Sequence, residues 1–159
     1  MLTRNFLYAI GSPKSLNCDN VPLVVPIDNV EVSNIRSQSF TLAGFSFSTY
    51  WQKAKFVIGT GSTAPKSTDY KLENEITEGY DCGTLSKRHI QGKEKDCLNI
   101  YGMITNTGTV DLSFSEIGLY VNCSIESIGE KTFLIAREVY DTPITIAPGE
   151  SVAVNVNIM

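Results

Sequence analysis

Val152, Val154, Val156 and Ile158 alternate with Ala153, Asn155 and Asn157. A two-residue period places one set on each face of a strand, so this stretch reads as a half-buried antiparallel strand. The same pattern recurs upstream. Cys97–Thr105 reads as a strand ending in Asn106-Thr107-Gly108, a turn signal expected to form a hairpin. Leu112 and Phe114, then Ile117, Leu119 and Val121, form a second strand with one break in phase between Ser115 and Glu116. Phe133–Val139 forms a third. Ile144 and Ile146 lead into Ala147-Pro148-Gly149-Glu150, where Pro followed by Gly suits the central positions of a type II turn. No stretch keeps a helical period for three turns, so the alternation dictates an all-β fold.

Composition agrees with the pattern. Of 159 residues, 12 are Val, 15 Ile and 14 Thr. Such β-branched side chains lose χ1 freedom in a helix and pack well on a pleated sheet. A chain of this length buries enough surface for one domain without a metal or disulfide. The net charge of −4 argues against a nucleic-acid binder, which needs a basic face to displace counterions from phosphate. No apolar run reaches membrane-spanning length, and residues 1–6 lack a signal-peptide core, so synthesis and folding in a cytoplasm are expected.

The beginning of the chain has a different texture. Pro13, Pro22 and Pro26 interrupt short apolar pieces, which suits an extended N-terminal arm over residues 1–26 ahead of a β domain over 27–159. An edge strand folded back on the domain is the alternative. An arm bearing Phe6, Leu7, Tyr8 and Ile10 needs somewhere to bury them, and a neighbouring subunit would supply it. Phe40, Leu42, Phe45 and Phe47 alternate with a phase change near Ala43-Gly44, a predicted bulge. Ala54–Ile58 is a short strand stopped by Gly59-Thr60-Gly61-Ser62. Tyr70–Asp96, rich in charge around Lys87-Arg88-His89 and Lys93–Asp96, reads as solvated loop or hairpin tip, with recognition as the sharper possibility.

Catalytic equipment is sparse. His89 is the single imidazole and has no nucleophile motif beside it. Gly59-Thr60-Gly61-Ser62 lacks the lysine of a phosphate loop. Glu73, Glu75, Glu78 and Asp81 crowd one stretch, which raises glycoside hydrolysis or weak calcium binding, but their spacing fits neither an EF-hand nor a defined carboxylate pair. Cys18, Cys82, Cys97 and Cys123 have no zinc spacing and read as small buried apolar side chains, with a Cys82–Cys97 bridge conceivable only outside a reducing compartment. Neither a metal nor another cofactor is expected. Tyr50, Trp51 and Tyr80 offer a platform on which a sugar ring could stack, although core or interface roles are commoner for such residues.

Two stretches resemble known proteins. Phe56-Val57-Ile58-Gly59-Thr60-Gly61-Ser62-Thr63-Ala64-Pro65 followed by Asp69-Tyr70-Lys71-Leu72-Glu73 is one. The other runs through Asn106-Thr107-Gly108, Ser115-Glu116-Ile117-Gly118-Leu119-Tyr120, Leu134-Ile135-Ala136-Arg137-Glu138, Asp141-Thr142-Pro143-Ile144-Thr145 and Pro148-Gly149-Glu150-Ser151. Together they resemble the small structural proteins of tailed-bacteriophage particles. The resemblance implies an antiparallel β-sandwich, jelly-roll or Ig-like, in a capsid, neck or tail. It brings no catalytic residues. A non-enzymatic capsid-decoration, head-fibre or neck/tail accessory subunit is the leading expectation, located in the virion and assembled in the bacterial cytoplasm. Its partners would be other virion proteins and further copies of itself, with neither nucleic acid nor membrane. The alternative is a carbohydrate- or receptor-binding module that meets a host-surface glycan. Within the motifs, Gly118 predicts a bulge or a close backbone approach, and Arg137 and Glu138 predict cross-strand ion pairs worth about 0.2–1 kcal/mol if exposed.

Overall fold

The computed structural model describes Met1, Asp28 and residues 54–90, 97–125 and 129–158. These form β1 (Ala54–Gly59), β2 (Tyr80–Cys82), β3 (Ser86–Ile90), β4 (Cys97–Asn106), β5 (Leu112–Ile125), β6 (Gly129–Ile146) and β7 (Ser151–Ile158). Among the described residues there is no helix. The expected arm, apart from Met1, and the alternating stretch Phe40–Phe47 with its predicted bulge lie outside them.

The strands make two antiparallel sheets. One has the order β1-β5-β6; in the other, β4 pairs with β2 and β3 along one edge and with β7 along the other. A single core lies between them, with Phe56, Ile58, Phe114, Ile117, Leu119 and Phe133 from the first sheet meeting Ile100, Ile104 and Val154 from the second. The chain therefore folds as an all-β protein of two packed antiparallel sheets. The apolar run Phe56-Val57-Ile58 is continuous because β1 is buried on both faces. Phe56 and Ile58 face the core, whereas Val57 faces outward to a second apolar cluster with Leu72, Tyr120 and Leu134.

Several local expectations hold in detail. The phase break between Ser115 and Glu116 is a register shift between β5 and β6, and a second shift follows at Leu119/Tyr120, where Ile135 is the extra residue of β6. Gly149 has φ +78° and Glu150 N donates to Ala147 O at 3.0 Å, the geometry of a type II turn. Gly118 is a site of close approach: a Cβ there would stand 2.8 Å from Leu72 and 2.9 Å from Leu134.

Other expectations need correction. Asn106-Thr107-Gly108 does not join a hairpin, because β4 and β5 belong to different sheets. The connection is an arch, and Asn106 holds it. Its buried side-chain amide donates to Val110 O and Ile146 O, both at 2.8 Å, and accepts from Gly108 N at 2.9 Å. Nor is the charged middle stretch all loop. Lys87, Arg88 and His89 lie in β3, paired with Ile100, Asn99 and Leu98 of β4. Local charge hides a strand whose partner lies downstream in sequence.

Candidate functional site

The most organised polar structure lies beneath the connection that leaves β1. Residues 60–76 double back over the outward face of β5 and β6, anchored by a bridge between Gly59 and Glu75 and by Ile76 N donating to Ile58 O at 2.9 Å. Leu72 is the apolar anchor of this segment, 2% exposed against Val57, Tyr120 and Leu134. Its own N–H donates to Tyr120 Oη at 2.9 Å, and that hydroxyl donates onward to Glu75 at 3.3 Å. Burial pushes the Tyr120 hydroxyl well above its ordinary range, with the nearby Glu75 carboxylate adding to the effect.

Beside this anchor sits a buried charge pair. Glu116 of β5 is fully buried and Arg137 of β6 is 3% exposed. Arg137 Nε donates to Glu116 Oε1 at 2.6 Å. The same carboxylate accepts from Glu73 N at 2.9 Å, Gly61 N at 3.2 Å and Asn74 N at 3.4 Å. Arg137 Nη1 donates to Asp69 Oδ2 at 2.7 Å, and Nη2 stands 3.5 Å from Glu73 Oε2. Burial alone would lower the guanidinium pKa, but its hydrogen bonds to Asp69 and Glu116 outweigh that and raise it. Glu73 folds its carboxylate over the turn, accepting from Ser62 N, Thr63 N and Thr63 Oγ1. Those donors, led by Thr63, hold the Glu73 carboxyl below its ordinary range.

The glycines of the turn are explained by this carboxylate. A Cβ on Gly59 would stand 2.5 Å from Asn74 O, and one on Gly61 would stand 2.5 Å from Glu116 Oε2. Only glycine lets the turn close onto the buried carboxylate. Chemically the buried carboxylate is saturated: three backbone N–H groups and the guanidinium occupy the oxygens of Glu116, while Arg137 Nη2 makes no hydrogen bond. The shift on Glu73 is opposite to the one a general acid for glycoside cleavage requires. Among the described residues no group of three His, Cys, Asp or Glu side chains is placed to hold a metal.

The residues singled out in the sequence fall elsewhere. Phe6, Leu7, Tyr8, Ile10, Tyr50 and Trp51 lie outside the described residues. Tyr80 lies in β2, half-buried, with its ring packed against the shared core and its hydroxyl pKa raised by burial. Cys82 is a free, half-buried thiol whose pKa is raised by burial. It stands opposite Ile104, whereas Cys97 stands opposite Ile90 near the other end of β4. At the rise of a strand that places them about 20 Å or more apart, which excludes the conceivable Cys82–Cys97 bridge.

The cross-strand partner expected for Arg137 is Glu116 on β5, but the guanidinium is buried among three carboxylates, so the magnitude of an exposed pair does not apply. A signal was present: Glu116 is the single charge of β5, and Arg137 directly follows the apolar run Phe133–Ala136 of β6, where an unpaired charge would be prohibitive. No family model, curated protein or solved structure matches the chain.

Proposed function

We propose that this chain is a non-enzymatic structural subunit of a tailed-bacteriophage particle, a capsid-decoration, head-fibre or neck/tail accessory protein. In this reading it is a β-sandwich of the jelly-roll or Ig-like kind that acts by protein–protein assembly in the virion. One observation carries the reading. The two stretches that resemble phage structural proteins are far apart in sequence, and their residues converge on the same cluster: Gly59, Gly61, Asp69, Leu72 and Glu73 from the first, Glu116, Gly118, Tyr120 and Arg137 from the second. The shared motifs thus serve to hold a sheet and its overlying segment together. That is what a building block needs from its most specific residues, whereas an enzyme would aim such residues at a substrate.

The test is immunogold labelling of purified phage particles with antibody against the full chain. Label at the head, neck or tail is expected, and particles that stay unlabelled although the chain is present in the lysate would overturn the proposal. Removing residues 1–20 separately tests the arm: reduced incorporation is expected, and unchanged incorporation would refute its role.

A further inference from the structure

A β-sheet has edges, and the two edges of each sheet here are treated differently. The outer edge of β1 is met by the chain itself at the Gly59–Glu75 bridge and the Ile76 N to Ile58 O bond. Along β6, Met1 closes on Arg137 through a reciprocal pair of bonds, Arg137 N to Met1 O at 2.9 Å and the Met1 amine to Arg137 O at 2.6 Å, and Pro143 interrupts the donors further on. The edge made by β2 and β3 is broken into two short strands, and β3 carries Lys87 and Arg88. Short strands, charges and proline are the ordinary means of blunting an edge.

β7 has none of these. It runs Ser-Val-Ala-Val-Asn-Val-Asn-Ile, with no charge, proline or glycine, and pairs with β4 without a register shift from Ser151 to Ile158. Among the described residues nothing pairs with its other edge. The alternation of the ladder identifies the groups on that edge. Met103 O accepts from Gly83 N, so odd-numbered residues of β4 turn their backbone groups towards β2 and β3, and Asn106, which bonds Gly149 and Glu150, shows that even-numbered ones turn towards β7. Val152, Val154 and Val156, opposite Ile104, Gly102 and Ile100, therefore spend their N–H and C=O on β4. Ser151, Ala153, Asn155 and Asn157 direct theirs outward.

We infer that this edge of β7, unpaired among the described residues, is a self-association site, at which a second copy of this chain adds its own β7 antiparallel. The occupant follows from symmetry and charge. Antiparallel addition of a strand to itself is self-complementary, as a two-fold interface must be. A register centred on Val154 sets Val154 against its copy and Val152 against Val156 on the core side, with Ala153 facing Asn155 on the other. Val152 and Val156 are only partly covered in one chain and gain cover from the added strand. The strand is neutral in a chain of net charge −4, so two copies meet there without the repulsion that other surfaces would impose. Main-chain bonds supply the affinity and the valine row the register. The inference stands on the strand edge and holds whether or not the chain enters a phage particle.

The test is the mass of the full-length chain in solution, by light scattering and sedimentation across a concentration series, together with amide exchange. The expected mass rises towards twice 17.5 kDa. The amides of Ala153 and Asn155 are expected to exchange about tenfold more slowly where the dimer forms. Ala153→Pro removes an outward N–H that β4 does not use, as edge strands tolerate, and Asn155→Lys puts charge on the edge. Both variants should stay monomeric with unchanged far-ultraviolet circular dichroism; should the proline variant fail to fold, Asn155→Lys decides. A wild-type chain that remains monomeric, a dimer that survives Asn155→Lys, or a dimer in which the Ala153 and Asn155 amides exchange freely would each overturn the inference.

Discussion

Replacing Glu116 by Gln keeps the shape of the side chain and removes its charge. In the wild type both carboxylate oxygens only accept: one from Arg137 Nε and Glu73 N, the other from Gly61 N and Asn74 N. An amide offers one accepting oxygen and one NH2, so in either orientation an N–H donor meets another donor in a fully buried site. Arg137 keeps Asp69 and the more distant Glu73, but its shortest bond loses the charged acceptor in either orientation. Breaking a buried pair by neutralising one partner costs about 3–5 kcal/mol, a large part of the about 5–15 kcal/mol that holds a typical domain folded. Urea unfolding of the full chain should therefore show a midpoint markedly lower in Glu116→Gln, with an unchanged slope. Arg137→Met should cost about as much, since it leaves the Glu116 charge buried with backbone donors alone. The double variant Glu116→Gln/Arg137→Met should cost less than the sum, with a coupling of about 1–3 kcal/mol. A loss below about 1 kcal/mol in Glu116→Gln, or strict additivity in the cycle, would refute the claim that this pair holds the overlying segment.

Three further outcomes follow from the same geometry. Gly61→Ala pushes a methyl into Glu116 Oε2 and the Glu73 side chain and should cost about 1–3 kcal/mol by thermal or urea unfolding, whereas Gly83→Ala, with 3.9 Å to its nearest neighbour, should be nearly neutral. Asn106→Ala strands the buried carbonyl of Ile146 and frees the arch, a loss of about 1–3 kcal/mol measurable by the same unfolding. Because folding lowers the Glu73 pKa, its contribution is present above the unfolded carboxylate value and is lost as pH falls through the folded one. The protection of the Ser62 and Thr63 amides against exchange, relative to their intrinsic rates, should therefore fall selectively on acidification below the ordinary glutamate range, and this pH response should disappear in Glu73→Gln.

Much of the fold was legible because a strand's period is local. Alternation at Val152–Ile158, the break at Ser115/Glu116 and the Pro148-Gly149 turn depend on neighbours a few residues away, and each appears where the residues place it. β3 was hidden because Lys87-Arg88-His89 carries the composition of a loop, and only pairing with β4 makes it a strand. The arch at Asn106 was hidden for a similar reason. Turn residues announce that the chain reverses, but not whether it returns to the same sheet or crosses to the other.

What residue order determined alone is the strands that alternate clearly, the faces those strands bury and the places where the backbone must bend, since side-chain alternation and φ preferences act within a few bonds. Tertiary structure decided the rest. A carboxylate on β5 and a guanidinium on β6, 21 positions apart, become one buried pair only when the sheet brings them together and the segment after β1 closes over them. The same assembly decided which edges are covered and, among the described residues, left one side of β7 unpaired, because an edge exists only after the other strands have found their neighbours.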